Sequence, residues 1–163
     1  MAIETGTPAP DFRLPGSDGE PHGLGGLTSG GPALLIFFRS GCPTCQMAFP
    51  VYGEMARRYG DAAAVVAISQ DPVLEAVPWL HERGFSGLAL DDSADGYAVS
   101  VAYDVQTVPT LVLVAGDGAV SAVAEGWDRD RTNEVARVMG DVTGRSMAPV
   151  STEADGLPVF KPG

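Results

Sequence analysis

Cys42 and Cys45 are the only cysteines among 163 residues, separated by Pro43 and Thr44. They follow the apolar run Ala33-Leu34-Leu35-Ile36-Phe37-Phe38 and the short link Arg39-Ser40-Gly41, and they precede a helix-compatible segment. Two cysteines spaced this way between a strand and a helix suit thiol–disulfide chemistry. Cys42 falls at or just before the first helical turn, where free N–H groups and the helix dipole favour an anion. The thiolate is the nucleophilic form of cysteine. Arg39, three residues upstream, adds positive charge if its side chain turns back. Cys45, one turn later, is placed to close a disulfide with Cys42, so Cys42 attacks a substrate disulfide and Cys45 resolves the mixed disulfide. Pro43 fixes the backbone at a position where its missing N–H costs nothing. Thr44 offers a hydroxyl as a hydrogen-bond partner for a sulfur.

Competing readings of the pair are an inert buried couple or a metal site. Structural zinc usually takes four Cys or His ligands. Only His22 and His81 remain, neither at ligand spacing, and each reads as a surface residue. No metal is expected, and no cofactor: electrons enter and leave through partner thiols.

The elements that must hold the pair follow from patterning. Ala33–Phe38 is apolar on both faces and predicts a central covered strand. Gln46–Tyr59 carries Met47, Val51, Met55 and Tyr59 as a helical stripe, with a kink expected at Pro50 and a stop at Gly60-Asp61. Ala62–Ile68 is a second buried strand. Asp71 is placed as N-cap with Pro72 at the first helical position of Val73–Arg83, whose inward face reads Leu74, Val77 and Leu80. Leu88–Asp91 is a short strand, and Ser93 is expected to cap a helix over Ala94–Ala102. Pro109–Val114 and Ala119–Ala124 form a hairpin about Gly116-Asp117-Gly118. Asp128–Met139 is a last amphipathic helix with Val135, Val138 and Met139 inward. Residues 5–31, rich in Gly and Pro, suit short β pieces near Asp11–Leu14 and His22–Leu24 but no helix. Glu4, Asp11 and the acids of Asp91–Asp95 read as caps and solvated loop charge, and Trp79 and Trp127 as packing residues on helices.

Strands alternating with helices and a closing hairpin predict an α/β fold: a central mixed β-sheet flanked by helices, with an N-terminal β extension. Length suits one domain, set at residues 1–140, with 141–163 as a C-terminal tail. The net charge of −11 disfavours nucleic acid and anionic membrane surfaces as partners. The longest apolar runs fall far short of the roughly 18–20 residues of a spanning helix. The first residues carry an acid and no basic, apolar leader pattern, so a cytoplasmic location is expected, where a lone cysteine pair is more plausibly catalytic than structural.

Val108-Pro109-Thr110 opens the hairpin's first strand, a place where proline is tolerated; the residues alone leave a plain strand boundary and a cis proline equally open. Taken together, Cys42-Pro43-Thr44-Cys45 after Phe37-Phe38, Pro50, and Tyr103–Thr110 before a hairpin resemble the thioredoxin-like superfamily. Ala9-Pro10-Asp11-Phe12 with Leu14 and Gly19 is similar to the entry of its TlpA/ResA-like and AhpC/TSA branches. The resemblance runs from about Pro8 to Met139. It implies a thioredoxin-like fold, a cis Pro109 facing the cysteines, and a Val108 backbone that pairs with an extended disulfide substrate; Thr44 and Arg39 belong to the substrate side of the same site.

Three departures are visible. Ile36 stands where thioredoxins carry a buried Asp, and Ala48 where ResA-like proteins carry a Glu, so proton transfer from the resolving thiol falls to water or another group. The Pro-x-x-x-Thr/Ser-x-x-Cys pattern of peroxiredoxins fails from either cysteine: counted back from Cys45, Phe38 and Cys42 occupy its Pro and Thr/Ser positions, and counted back from Cys42, Arg39 breaks it. The expected function is therefore a thiol–disulfide oxidoreductase exchanging with protein or small-molecule disulfides and thiols, and re-reduced by a thioredoxin or glutathione system. A hydroperoxide-reducing thiol peroxidase and a non-enzymatic binding module are the alternatives.

Overall fold

The computed structural model describes residues 1–163. Its centre is β3 (Ala33–Phe38), six apolar residues that are all fully buried. β4 (Ala64–Ser69) runs parallel to it, pairing Ala33 with Ala64 and Phe38 with Ser69. β6 (Thr110–Val114) runs antiparallel on the other side, pairing Ala33 with Val114 and Phe37 with Thr110. β5 (Ala89–Asp91) joins β4 in parallel, and β7 (Val120–Glu125) closes the hairpin with β6. The order is β5-β4-β3-β6-β7, a five-stranded mixed sheet. β3 and β6 are buried along their whole length, as strands covered on both faces must be. This is the α/β, thioredoxin-like architecture expected from the sequence.

The N-terminal segment covers the sheet's edges. β1 (Arg13–Pro15) and β2 (Pro21–Gly23) form a small hairpin, and Gly16 bridges to Leu90 on β5. Pro8 bridges to Ala119 beside β7. Both edges, otherwise rows of free N–H and C=O groups, are thereby partly paired. A four-residue α1 (Leu24–Leu27) follows β2, inside a stretch expected to hold no helix. The Thr28 hydroxyl, donating to the Leu24 carbonyl, helps close that single turn against its two glycines.

α2 (Pro43–Tyr59) runs unbroken through Pro50, and its Phe49 ring meets Phe38, Trp79 and Phe85 edge-on. α3 (Val73–Glu82) differs from expectation at its start. Pro72 is the N-cap, and the first free amide, Val73 N–H, is taken by the Asp91 carboxylate at 3.0 Å. Its inward residues are Val73, Ala76 and Leu80, while Leu74 lies exposed. α4 is confined to Ala98–Ala102, because the buried Asp92 carboxylate accepts from Val99 N and Ser100 N (3.1 and 2.8 Å) and so fixes the helix start there. Ser93, the expected cap, donates its hydroxyl to Asp91 instead.

Trp127 lies on a two-residue strand, β8 (Trp127–Asp128), rather than on a helix. α5 (Arg129–Thr143) is capped by Asp128 and extends a turn beyond Met139 to the left-handed Gly144. After it the chain returns across the domain, makes a 3-10 turn at Glu153–Asp155, and adds β9 (Phe160–Lys161) antiparallel to β8. No helix is long and apolar enough to cross a membrane.

Candidate active site

β3 ends where the apolar run ends, and the three-residue link Arg39–Gly41 carries the chain to α2. The link is held from both sides. The Cys42 amide donates to the Arg39 carbonyl at 3.2 Å, and the Ser40 amide donates to the Asp71 carboxylate at 2.7 Å. Asp71 is fixed in turn by Ser69, whose hydroxyl accepts from the Asp71 amide and donates to its carbonyl. Asp71 is therefore not the helix cap that spacing suggests but a brace between the end of β4 and the cysteine loop. Only its position before Pro72 was visible in the sequence; its partner lies 31 residues away.

Cys42 is the N-cap of α2, and its sulfur accepts from the Cys45 amide at 3.2 Å. The same sulfur donates its thiol hydrogen to the Val108 carbonyl at 3.2 Å. An anion at this sulfur would face the free N–H groups that open α2. Both cysteines are thiols in this structure and both are buried, Cys42 at 3% exposure and Cys45 at zero. Burial pushes the Cys45 thiol well above its ordinary value, and the neighbouring Cys42 adds to this. The Arg39 backbone and charge work the other way without reversing it. The two thiols thus sit in different environments, one at a helix start and one in apolar packing.

Val108–Pro109 is a cis peptide, both residues are buried, and they face the cysteine pair through the Cys42–Val108 hydrogen bond. The Gly126 amide donates to the Pro109 carbonyl at 2.7 Å and the Thr110 hydroxyl to the Thr107 carbonyl at 2.7 Å, which ties this corner to β7. Arg39 is exposed and lines, with Gln70, Thr107 and Val108, a polar cavity of about 240 Å³ beside the pair. Thr44 departs from expectation: its hydroxyl donates to the Pro162 carbonyl at 2.8 Å, not to a sulfur. The approach of residues 162–163 to the site gave no signal in the sequence.

Tyr52, two helical turns beyond Cys45 on α2, is fully buried with its hydroxyl unpartnered. Burial raises its phenol strongly, and charge at either cysteine would raise it further. The two histidines lie elsewhere, His22 paired with Asp18 at 2.8 Å, and no group of three or more His, Cys, Asp or Glu converges.

The AhpC/TSA family profile matches residues 5–123, a span that includes both cysteines and Pro109 but ends before β8. Methylamine utilization protein MauD of Paracoccus versutus is 30% identical over 141 residues, covering 86% of this chain and 68% of MauD. Among solved structures, a Chlorobium tepidum protein assigned as thiol:disulfide interchange protein DsbE superposes with a TM-score of 0.73 at 25% identity, over 86% of this chain and 99% of that one. Peroxidoxin BcpB of Mycobacterium tuberculosis gives 0.66 at 26% identity, over 76% and 86%.

Proposed function

This chain belongs to the AhpC/TSA family and is a thiol–disulfide oxidoreductase, and from that premise we propose that Cys42 is its attacking sulfur and Cys45 its resolving one. The observation that carries this assignment is the asymmetry of the pair. The Cys42 sulfur receives the Cys45 N–H at the opening of α2, whereas Cys45 is enclosed with its thiol form favoured. The Cys42 thiolate attacks one sulfur of a partner disulfide, expelling the other as a thiolate. Cys45 then loses its proton and attacks the Cys42 sulfur of the mixed disulfide, releasing the second partner thiol. Two electrons pass to the partner, two thiols leave reduced, and the Cys42–Cys45 disulfide remains. The reverse sequence oxidises a dithiol.

Substrates are thiols or disulfides. The finer reading is that an extended protein disulfide lies along the Val108–Pro109 backbone, with Arg39 and Thr44 at the rim, and that a thioredoxin or glutathione system restores the dithiol. A cytoplasmic location belongs to the same proposal, and cell fractionation tests it. Peroxide reduction is the weaker reading, given the missing peroxiredoxin pattern around both cysteines.

Trapping decides the roles. A Cys45→Ser protein should accumulate a mixed disulfide through Cys42, and Cys42→Ser should abolish exchange; full exchange by Cys42→Ser overturns the assignment. Stopped-flow mixing of reduced protein with one equivalent of hydrogen peroxide separates the two activities. Thiol loss far faster than that of free cysteine would favour the peroxidase.

A further inference from the structure

Beyond α5 the chain does not leave the domain but is fastened to it in steps. Asn133 holds the first step with both ends of its amide: Oδ1 accepts from Val150 N and Ser151 N, and Nδ2 donates to the Ser151 carbonyl. Arg129, only 7% exposed, holds the second. Its guanidinium donates to the Ser151 hydroxyl at 3.1 Å, to Asp155 at 3.3 Å and to the Leu157 carbonyl at 2.5 Å. A buried guanidinium with this many partners is an anchor, because removing any of them leaves a buried charge short of hydrogen bonds. The third step is backbone pairing of β9 with β8, reinforced by Trp127 Nε1, which donates to the Pro158 carbonyl at 2.7 Å.

Pro162 and Gly163 of the segment so fastened lie against the redox site. The Thr44 hydroxyl, between the two cysteines, donates to the Pro162 carbonyl. At Gly163 the backbone lies so close to the opposite corner that a Cβ would overlap the Val108 carbonyl and the Thr107 hydroxyl. One extended stretch therefore touches both walls of the site, the α2 start and the Val108 corner, while Cys42 beneath is nearly closed to solvent.

We propose that Leu157–Gly163 is an intramolecular competitor for the groove at Cys42, a strap that selects against extended protein disulfides. The proposal rests on the reading above of Val108 as the substrate-facing edge. A protein substrate laid along Val108 needs the volume that Pro162 and Gly163 occupy, so it reacts only with the fraction of molecules whose strap has lifted. Its apparent affinity is reduced by that fraction. A small disulfide displaces less of the strap and is penalised less.

The test compares the full chain with a chain ending at Gly156, each reduced, against insulin and against glutathione disulfide. Removing the strap should speed reaction with insulin by about tenfold or more, and reaction with glutathione disulfide by less. No gain with insulin, or an equal gain with both, overturns the proposal. Asp155→Ala in the full chain, which loosens the Arg129 clasp without deleting residues, should move both rates in the same direction; unchanged rates count against the strap. Iodoacetamide labelling of Cys42 keeps this separate from the activity itself. If neither form exchanges with either disulfide, the oxidoreductase reading of the site fails. Faster labelling of the shortened chain would still support the strap as a cover, and equal labelling would overturn it.

Discussion

The Cys42 thiol donates to the Val108 carbonyl at 3.2 Å, a bond between residues 66 positions apart that joins the start of α2 to the corner before β6. It needs the thiol proton. Once Cys42 is a thiolate or part of a disulfide, the Val108 carbonyl is released and can accept an N–H from a bound chain. Protonation of Cys42 thus occupies the Val108 carbonyl, and either ionisation or oxidation of the sulfur frees it.

The two thiols should label very unequally. Burial holds Cys45 protonated well beyond its ordinary value of 9.0, so its thiolate is scarce from pH 7 to 9. Iodoacetamide at pH 8 should modify Cys42, however slowly, and leave Cys45 free until the protein is unfolded; peptide mass spectrometry reads both. Because folding raises this group, stability of the reduced protein is undiminished by it below 9.0 and falls as pH rises further, when the unfolded chain releases the proton and the folded chain does not. Comparable labelling of both cysteines in the folded state would contradict the asymmetry.

Asp71 should matter to catalysis without touching substrate. Asp71→Ala deprives the Ser40 amide of its acceptor in a partly buried link, at a cost of about 1 kcal/mol in stability. The same change loosens the turn that presents Cys42, so exchange should slow by more than the lost stability explains. Asp71→Asn keeps an oxygen acceptor and should recover most of the rate. Equal rates for the wild-type and Asp71→Ala proteins would make the brace purely structural.

The sheet was legible because its strands are contiguous apolar runs, Ala33–Phe38 above all, with a helix period beginning at the cysteines. The cysteine pair was legible because local spacing encodes it. What escaped was long-range bonding by short polar side chains. Asp71, Asp91 and Asp92 all look like local caps, and any of several nearby amides satisfies that pattern. Tertiary packing decided that Asp71 turns back to Ser40, Asp91 takes the start of α3, and Asp92 takes α4. Leu74 was misplaced because an apolar residue was taken as inward, whereas packing turns Val73, Ala76 and Leu80 to the core and leaves Leu74 exposed. The path of residues 144–163 rests on Arg129, Asn133 and Trp127, polar atoms on elements that otherwise read as ordinary packing.

Asp91 should make α3 acid-sensitive. Burial works against its charge, but the Ser93 hydroxyl and the Val73 and Ser93 amides outweigh it and hold the carboxyl below its ordinary 3.8. A group lowered on folding contributes its full stability above 3.8 and loses it as pH falls through the folded value. Asp91→Asn replaces charge-assisted hydrogen bonds with neutral ones and should cost about 1 kcal/mol at pH 7 in urea unfolding, and the gap from wild type should shrink as pH drops below 3.8. A gap unchanged between pH 7 and pH 3 would mean the carboxylate charge contributes nothing to the cap.

Gly53 tests how closely the site-bearing helix is packed. In an exposed helix interior, Gly→Ala stabilises by about 1 kcal/mol. Here a Cβ on Gly53 would overlap the Gly84 carbonyl, which is backbone at the end of α3 and cannot swing aside as a flexible side chain would. Overpacking of this kind costs about 1–3 kcal/mol, so the clash exceeds the propensity gain and Gly53→Ala should lower the melting temperature. Gly25→Ala is the matched control, since a Cβ there meets nothing within 4 Å, and it should be neutral or mildly stabilising. The displacement should also reach the cysteines, because α2 carries Cys42 at its start and Cys45 in its first turn. A Gly53→Ala protein that melts at or above the wild-type temperature would show that α2 and the end of α3 can separate without loss.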